Sequence, residues 1–255
     1  MTSYLKTNKP VIIIPARLES KRFPNKALAL VEGVPMVVKT ARSCTEFIEL
    51  SNIFVATDSE RIKQTCSQHG INVILTSENC LTGTDRVFEA SQHFKEGTHI
   101  INVQGDEPLI TGEAIKKIYN GYLESGNTTT GVVSIDIEQE FFSKNIVKVV
   151  FNRSGKMLYA SRAPIPFNKQ GTFIQGFKQV PVYVFKKQDL DRYYHYGLTQ
   201  KTKLENIEDV EILRFLELGI NIHTVKVDRH LPGVDTPEDL ENIHKILSYD
   251  LRSRY

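Results

Sequence analysis

Along the first hundred residues, short apolar runs alternate with amphipathic stretches. Segments 11–14, 52–56, 72–75 and 99–103 are β-branched runs of strand length, and 36–49, 60–69 and 84–94 read as helices between them. Continuous apolar strands separated by helices predict an α/β fold with a mostly parallel, Rossmann-like sheet and helices on both faces. Ligands in such folds sit beyond the carboxyl ends of the strands. The loops at those ends read PARLESKR, TDSER, TSENCLTGTDR and QGDEPLI, all of them polar.

The pattern changes in the second half. Segments 128–137, 147–152, 157–160 and 179–185 read as strands without long helices between most of them, which predicts a smaller mixed or antiparallel lobe. A helix over 205–218 and a strand over 222–227 follow. Thr236 is placed as an N-cap with Pro237 at the first helical position, opening a closing helix through Leu247. With no repeat and no linker, the expectation is a single domain over 1–255 with an embedded lobe at about 128–200.

Composition narrows the function. The 255 residues are 40% hydrophobic and 24% charged, with a net charge of +2, which speaks against a nucleic-acid partner. Three cysteines without CxxC spacing speak against a disulfide framework or a zinc site and fit a reducing compartment. MTSYLKTNKP has no apolar signal core and no run reaches membrane-spanning length, so a cytoplasmic protein without membrane contact is expected.

Three stretches carry candidate chemistry. PARLESKRFPNKAL packs Arg17, Lys21, Arg22 and Lys26 behind a buried strand. Arg forks and Lys point charges suit phosphate oxygens, and the alternative is a solvated basic loop. It is neither GxxxxGK[ST] nor GxGxxG. In VQGDEPLI, Asp106 could hold a divalent cation that bridges phosphates, or the loop is an acidic turn. In GVDTPEDLE, Asp235 is a cap or a second ligand. TGTDR and ATDS offer backbone N–H groups to an anion, or are plain helix starts. The seven histidines, His230 among them, show no paired-ligand spacing and read as surface or packing residues.

Taken in chain order, PARxxSxRxPxK, VATD, TGT[DE]R, NVQGDEP, SRxPIP and VDTPEDLE resemble the CMP-Kdo synthetases (3-deoxy-manno-octulosonate cytidylyltransferases) from about Pro10 to Leu247. The resemblance implies a homodimer joined through the lobe. It implies transfer of CMP from CTP to a small acidic sugar, a 3-deoxy-2-ulosonic acid, with Mg2+ and release of pyrophosphate. Arg17, Arg22 and Lys26 match phosphate-side residues, and Asp106 and Asp235 match metal ligands. Thr82, Gly83 and Gln104 match positions near the nucleotide, while Arg86, Arg162, Gln179, Tyr183 and Glu211 match or neighbour the sugar side. Lys21 stands where the family commonly has a small hydroxyl residue and is assigned no role. A sialate-type or other sugar nucleotidyltransferase is the alternative, and a catalytically silent nucleotide-sugar binder is a third reading.

The departures from the family fall on the sugar side. Gln179 stands in place of a histidine, Phe185 of a tyrosine and Ile212 of a glutamine. Losing polar side chains from a polyhydroxyl pocket is expected to change which groups of the acceptor are read, unless Ile212 faces the core.

Overall fold

The computed structural model describes residues 9–20, 22–228 and 233–252, with side chains through Ser248; Lys21 and His230 lie outside the described residues, as does the N-terminal segment 1–8. In chain order the elements are β1 (Val11–Ala16), β2 (Leu30–Val31), β3 (Val34–Pro35), α1 (Met36–Ser43), β4 (Ile53–Thr57), α2 (Glu60–Gln68), β5 (Asn72–Leu75), α3 (Gly83–Ser91) and β6 (Ile100–Val103). They continue with α4 (Gly112–Ser125), β7 (Thr129–Ile135), α5 (Glu138–Phe142), β8 (Lys148–Phe151), β9 (Met157–Ser161), β10 (Gly176–Phe185) and α6 (Lys187–Tyr196). The chain ends with α7 (Lys203–Glu208), α8 (Ile212–Glu217), β11 (His223–Lys226) and α9 (Pro237–Arg252). The α/β class expected from the alternation is the one observed.

The chain forms two compact units. The first comprises residues 1–98, 102–113 and 231–255, and the second 99–101 and 114–230. In the first, the strands lie in the order β6-β1-β4-β5, with β1, β4 and β5 parallel. Every residue of β1 is buried, because its VIIIPA sequence leaves no polar face. The short hairpin β2–β3 turns at Glu32 and Gly33, both at positive φ, the twist a two-residue hairpin needs. Val31 and Met36 then pack with Val234 and Ile243, against which Phe23, Leu109 and Leu240 also lie. That cluster joins the cationic loop, the loop after β6 and helix α9.

In the second unit β7 pairs antiparallel with β10 and parallel with β11, while β8 pairs antiparallel with β9 and with β10. The register of β10 against β7 shifts between Val180 and Tyr183. Pro181, which has no N–H to give a ladder, lies within that shift.

Three helices, α4, α5 and α6, escape the sequence reading. Helix α4 contains Gly112, Asn120 and Gly121, poor helix formers that hide its Ala114, Ile115, Ile118 stripe. Gly121 is needed there: a Cβ would stand 2.2 Å from the Val225 side chain. Helix α6 was likewise hidden by its polar content. The helix expected over 205–218 is two helices, broken at Asp209 with φ 51°. Arg162 explains the break, since its Nε donates to the Glu208 carbonyl (2.7 Å) and Nη2 to the Asp209 carbonyl (2.9 Å). An unbroken helix would have used both carbonyls internally.

The same region holds an ion pair with no exposure on either side chain. Arg214 donates from Nε and Nη2 to the two carboxylate oxygens of Glu205, both at 2.7 Å, and its guanidinium lies 3.8 Å from the Tyr193 ring centre. Removing one partner strands the other charge, so Arg214→Met is expected to cost about 3–5 kcal/mol. Urea denaturation of wild type and variant measures the loss.

Candidate active site

The cationic loop leaves β1 at Ala16. Arg17 is exposed and makes no hydrogen bond or ion pair to another described residue. Asn25, at φ 57°, bends the chain into a single 3-10 turn that starts at Lys26. Lys26 N–H donates to the Phe23 carbonyl at 3.1 Å, and Phe23 is held by the apolar cluster. The loop is thereby pinned at one apolar side chain while its cations stay on the polar side.

The loop after β6 is fixed from three directions. Thr40 donates to the Gly105 carbonyl (3.2 Å), Ser43 to the Pro108 carbonyl (2.7 Å), and Val234 N–H to the Asp106 carbonyl (2.9 Å). Gly105 must be glycine, because a Cβ would meet the Pro15 carbonyl oxygen at 2.7 Å. Gly233 is constrained in the same way: its Cβ would stand 2.5 Å from the Glu107 carboxylate. The segment before α9 therefore runs directly against Asp106.

The two candidate carboxylates converge. Lys26 Nζ donates to Asp106 Oδ2 at 2.6 Å and to Asp235 Oδ1 at 3.2 Å, and Arg22 Nη2 donates to the same Asp235 oxygen at 2.9 Å. Burial pulls the Lys26 pKa down, but Asp106 and Asp235 outweigh it and hold it above the ordinary lysine value. Asp235 does not cap α9. Thr236 does, with Asp239 N–H donating to Thr236 Oγ1 (3.2 Å) and Thr236 N–H to the Asp239 carboxylate (2.8 Å). The Asp235 carboxylate is left to the cations.

This donor set fits a hard divalent cation. Mg2+ is usually held by one or two carboxylates, with substrate phosphates and water completing its shell. No group of three acidic, histidine or cysteine side chains among the described residues could hold a metal by itself. Asp106 and Asp235 could supply the protein's share.

Around the start of α3, Thr82 is the N-cap, accepting from Asp85 N–H at 3.1 Å. The Gln104 side chain covers Gly83, where a Cβ would meet its Oε1 at 3.1 Å and Pro15 Cγ at 3.3 Å. Thr82, Gly83 and Gln104 thus come from separate segments to one strand end.

The sugar-side candidates are differently employed. Arg86 is buried and donates to Asp58 (2.7 Å), Thr76 Oγ1 (2.5 Å) and the Ser77 carbonyl (3.3 Å). Sequence reasoning took ATDS as an anion-binding loop or a helix start, and VATD as part of the family resemblance, but missed that Asp58 pairs with this arginine; no local signal marks the pair. In the second unit, Arg162 clamps the α7–α8 break, and Glu208 accepts from Ser161 Oγ (2.7 Å) and Arg162 N–H (2.9 Å). Glu211 is half-buried at the start of α8.

Two of the three departures have a packing explanation. Ile212 is 1% exposed, and Phe185 stacks between Tyr183 and Phe215 at 5.8 and 5.7 Å. Gln179 differs: its Nε2 is buried with no hydrogen-bond partner among the described residues.

Clustered cations beside paired carboxylates at the strand ends are suited to a polyphosphate. The class follows from the profile of the cytidylyltransferase family, which matches residues 11–222. The 3-deoxy-manno-octulosonate cytidylyltransferase of Thermodesulfovibrio yellowstonii is 38% identical over 93% of this chain and 98% of its own length. That of Polynucleobacter necessarius subsp. necessarius is 38% identical over 93% and 95%. A solved CMP:2-keto-3-deoxy-manno-octonic acid synthetase complexed with CTP superposes with a TM-score of 0.85 at 32% identity, covering 95% of this chain and 100% of that one. This chain belongs to the 3-deoxy-manno-octulosonate cytidylyltransferase family.

The Arg86 geometry yields a prediction. Arg86→Met leaves the half-buried Asp58 without its cation, so stability is expected to fall by about 1.5–3 kcal/mol, the worth of a hydrogen bond to a charged group. Thermal and urea unfolding measure it.

Proposed function

We propose that the protein transfers CMP from CTP to Kdo or a close 3-deoxy-2-ulosonic acid, giving the CMP-sugar and pyrophosphate for lipopolysaccharide synthesis in the cytoplasm. The observation that carries the reading is the convergence of Asp106 and Asp235 on Lys26. Family membership at this identity weighs against the sialate-type alternative. Retention of all three cations and both carboxylates weighs against a silent binder.

In this reading Arg17, Arg22 and Lys26 bind the triphosphate and offset the charge that grows on the departing pyrophosphate. Thr82, Gly83 and Gln104 border the nucleotide. Asp106 and Asp235 would hold Mg2+, which would offset phosphate charge and make the attacking hydroxyl more acidic. The sugar's anomeric oxygen forms a bond to the α-phosphorus, the bond from that phosphorus to pyrophosphate breaks, and the hydroxyl proton passes to solvent. Arg86, Arg162, Tyr183 and Glu211 belong to the sugar side, acting on the acceptor or shaping the loops that do. Gln179 Nε2, without a partner among the described residues, supports a contact to an acceptor oxygen, because a buried donor with no partner is rare in a folded protein.

In this reading the lobe at about 128–200, which falls within the second unit, is where the chain pairs as a homodimer. Support for the pairing comes from Phe142, Leu158, Phe167 and Ile174, large apolar side chains left exposed on the second unit. Among the described residues no helix is long and apolar enough to cross a membrane.

Asp106→Asn removes charge with little change of shape, so pyrophosphate release from CTP and Kdo is expected to fall at least about a hundredfold, as when a main electrostatic contact to the transition state is lost. Retention of full turnover would sink the reading. Gln179→Leu is expected to raise KM for Kdo by about threefold to tenfold, the worth of one neutral hydrogen bond, while KM for CTP stays put. A panel of ulosonic acids assayed on wild type and Gln179→His shows which acceptor this position favours.

A further inference from the structure

The cations and carboxylates of the site are already spent on each other. Asp235 Oδ1 accepts from both Lys26 and Arg22, and Asp106 Oδ2 accepts from Lys26 at 2.6 Å. The Lys26 side chain is only 18% exposed, so its ammonium sits between the carboxylates rather than beside them. Among the described residues, two cations, Arg22 and Lys26, already pair with the two carboxylates, so that these charges offset one another. Nothing in that balance draws in a divalent cation. A triphosphate, by contrast, meets first an exposed Arg17 that has no partner among the described residues.

We infer that Lys26 is an internal counter-cation, holding Asp106 and Asp235 together in the nucleotide-free protein and keeping a divalent metal out until triphosphate draws the ammonium away. This rests on the metal reading given above. The backbone makes the exchange possible without moving the loop. The Asn25 bend and the Lys26 N–H bond to Phe23 fix the main chain, while the four-carbon stem can carry its charge from carboxylate to phosphate. Arg22, more exposed and bound to one carboxylate oxygen, assists but does not fill the space. The consequence is an order of binding: nucleotide and metal arrive together or nucleotide first, and metal alone binds poorly. The device also keeps two carboxylates from repelling each other before substrate binds.

The test uses Mn2+ and the nucleotide-free full-length protein, with bound metal read by water-proton relaxation enhancement and free metal by electron paramagnetic resonance. Lys26→Met is expected to bind Mn2+ at least about tenfold more tightly than wild type, a change of about 1.4 kcal/mol. Arg22→Gln, at an exposed position, should gain about threefold, and it decides the matter if Lys26→Met does not fold. Adding Asp106→Asn to Lys26→Met should abolish the gain. If both single variants fold, by circular dichroism, and bind Mn2+ no better than wild type, the counter-cation role is overturned. In that event, Mn2+ held by wild type with CTP but lost in Asp106→Asn with CTP shows that the metal reading itself survives. Should Asp106→Asn alter Mn2+ binding in no state, both fall.

Discussion

The backbone hydrogen bond from Val234 N–H to the Asp106 carbonyl holds two distant segments of the chain at one point. It sets Asp235 beside Asp106, and two neighbouring constraints keep it there. Gly233 lets the chain pass a carboxylate that any Cβ would strike, and the cluster of Val31, Met36, Val234 and Ile243 supplies the apolar grip. Lys26 then bridges carboxylates that would otherwise repel. If the segment before α9 moved off the loop after β6, that bridge would break and the paired-acid character of the site would go with it.

The second unit shows the same economy of charge used for structure. Arg214 and Glu205 are wholly buried, and they survive there because they pair bidentately while Thr202 donates to the carboxylate and the Tyr193 carbonyl accepts from the guanidinium, under which the Tyr193 ring lies. Arg162 and Lys148 tie down carbonyls instead. Lys148 is buried and donates to Ser143, Ile146 and Arg162 carbonyls, and burial, with Arg162 adding to it and Glu208 opposing, lowers its pKa to about 8. Arginines at positions matched to sugar recognition are thus also the residues that fix the backbone around them. Their replacement would alter shape as well as charge, so a fall in activity alone would not assign them to the acceptor.

How much of this was legible in the sequence depended on whether the signal was local. Strand β1 was readable because it is apolar throughout, β4, β5 and β6 because each carries a single polar residue, and Thr236 because a cap lies within four residues of its partner. Helix α4 was not, because the reason Gly121 is tolerated is Val225, far along the chain. The break at Asp209 was hidden for the same reason: Arg162 imposes it from a distance. In the site, residue types and order were visible, but not the partnerships. Asp58 with Arg86, and Lys26 across both carboxylates, are tertiary facts. Ile212 and Phe185 looked like changes to a pocket only because sequence does not report burial.

Burial also changes what the divergent positions mean. A substitution in a packed core is judged by volume and shape, and the stacking of Phe185 with Tyr183 and Phe215 is adequate reason for its lost hydroxyl. Gln179 has no such excuse. Its nitrogen is shut from solvent without a partner among the described residues, at a cost a folded protein tolerates where a ligand or bound water supplies the bond. A neutral amide there reads a polar group at any pH, whereas the histidine common at this position could also carry charge. On the proposed reading, divergence of the acceptor pocket from the family therefore narrows to Gln179, while the nucleotide side would rest on the paired cations and carboxylates of Arg22, Lys26, Asp106 and Asp235.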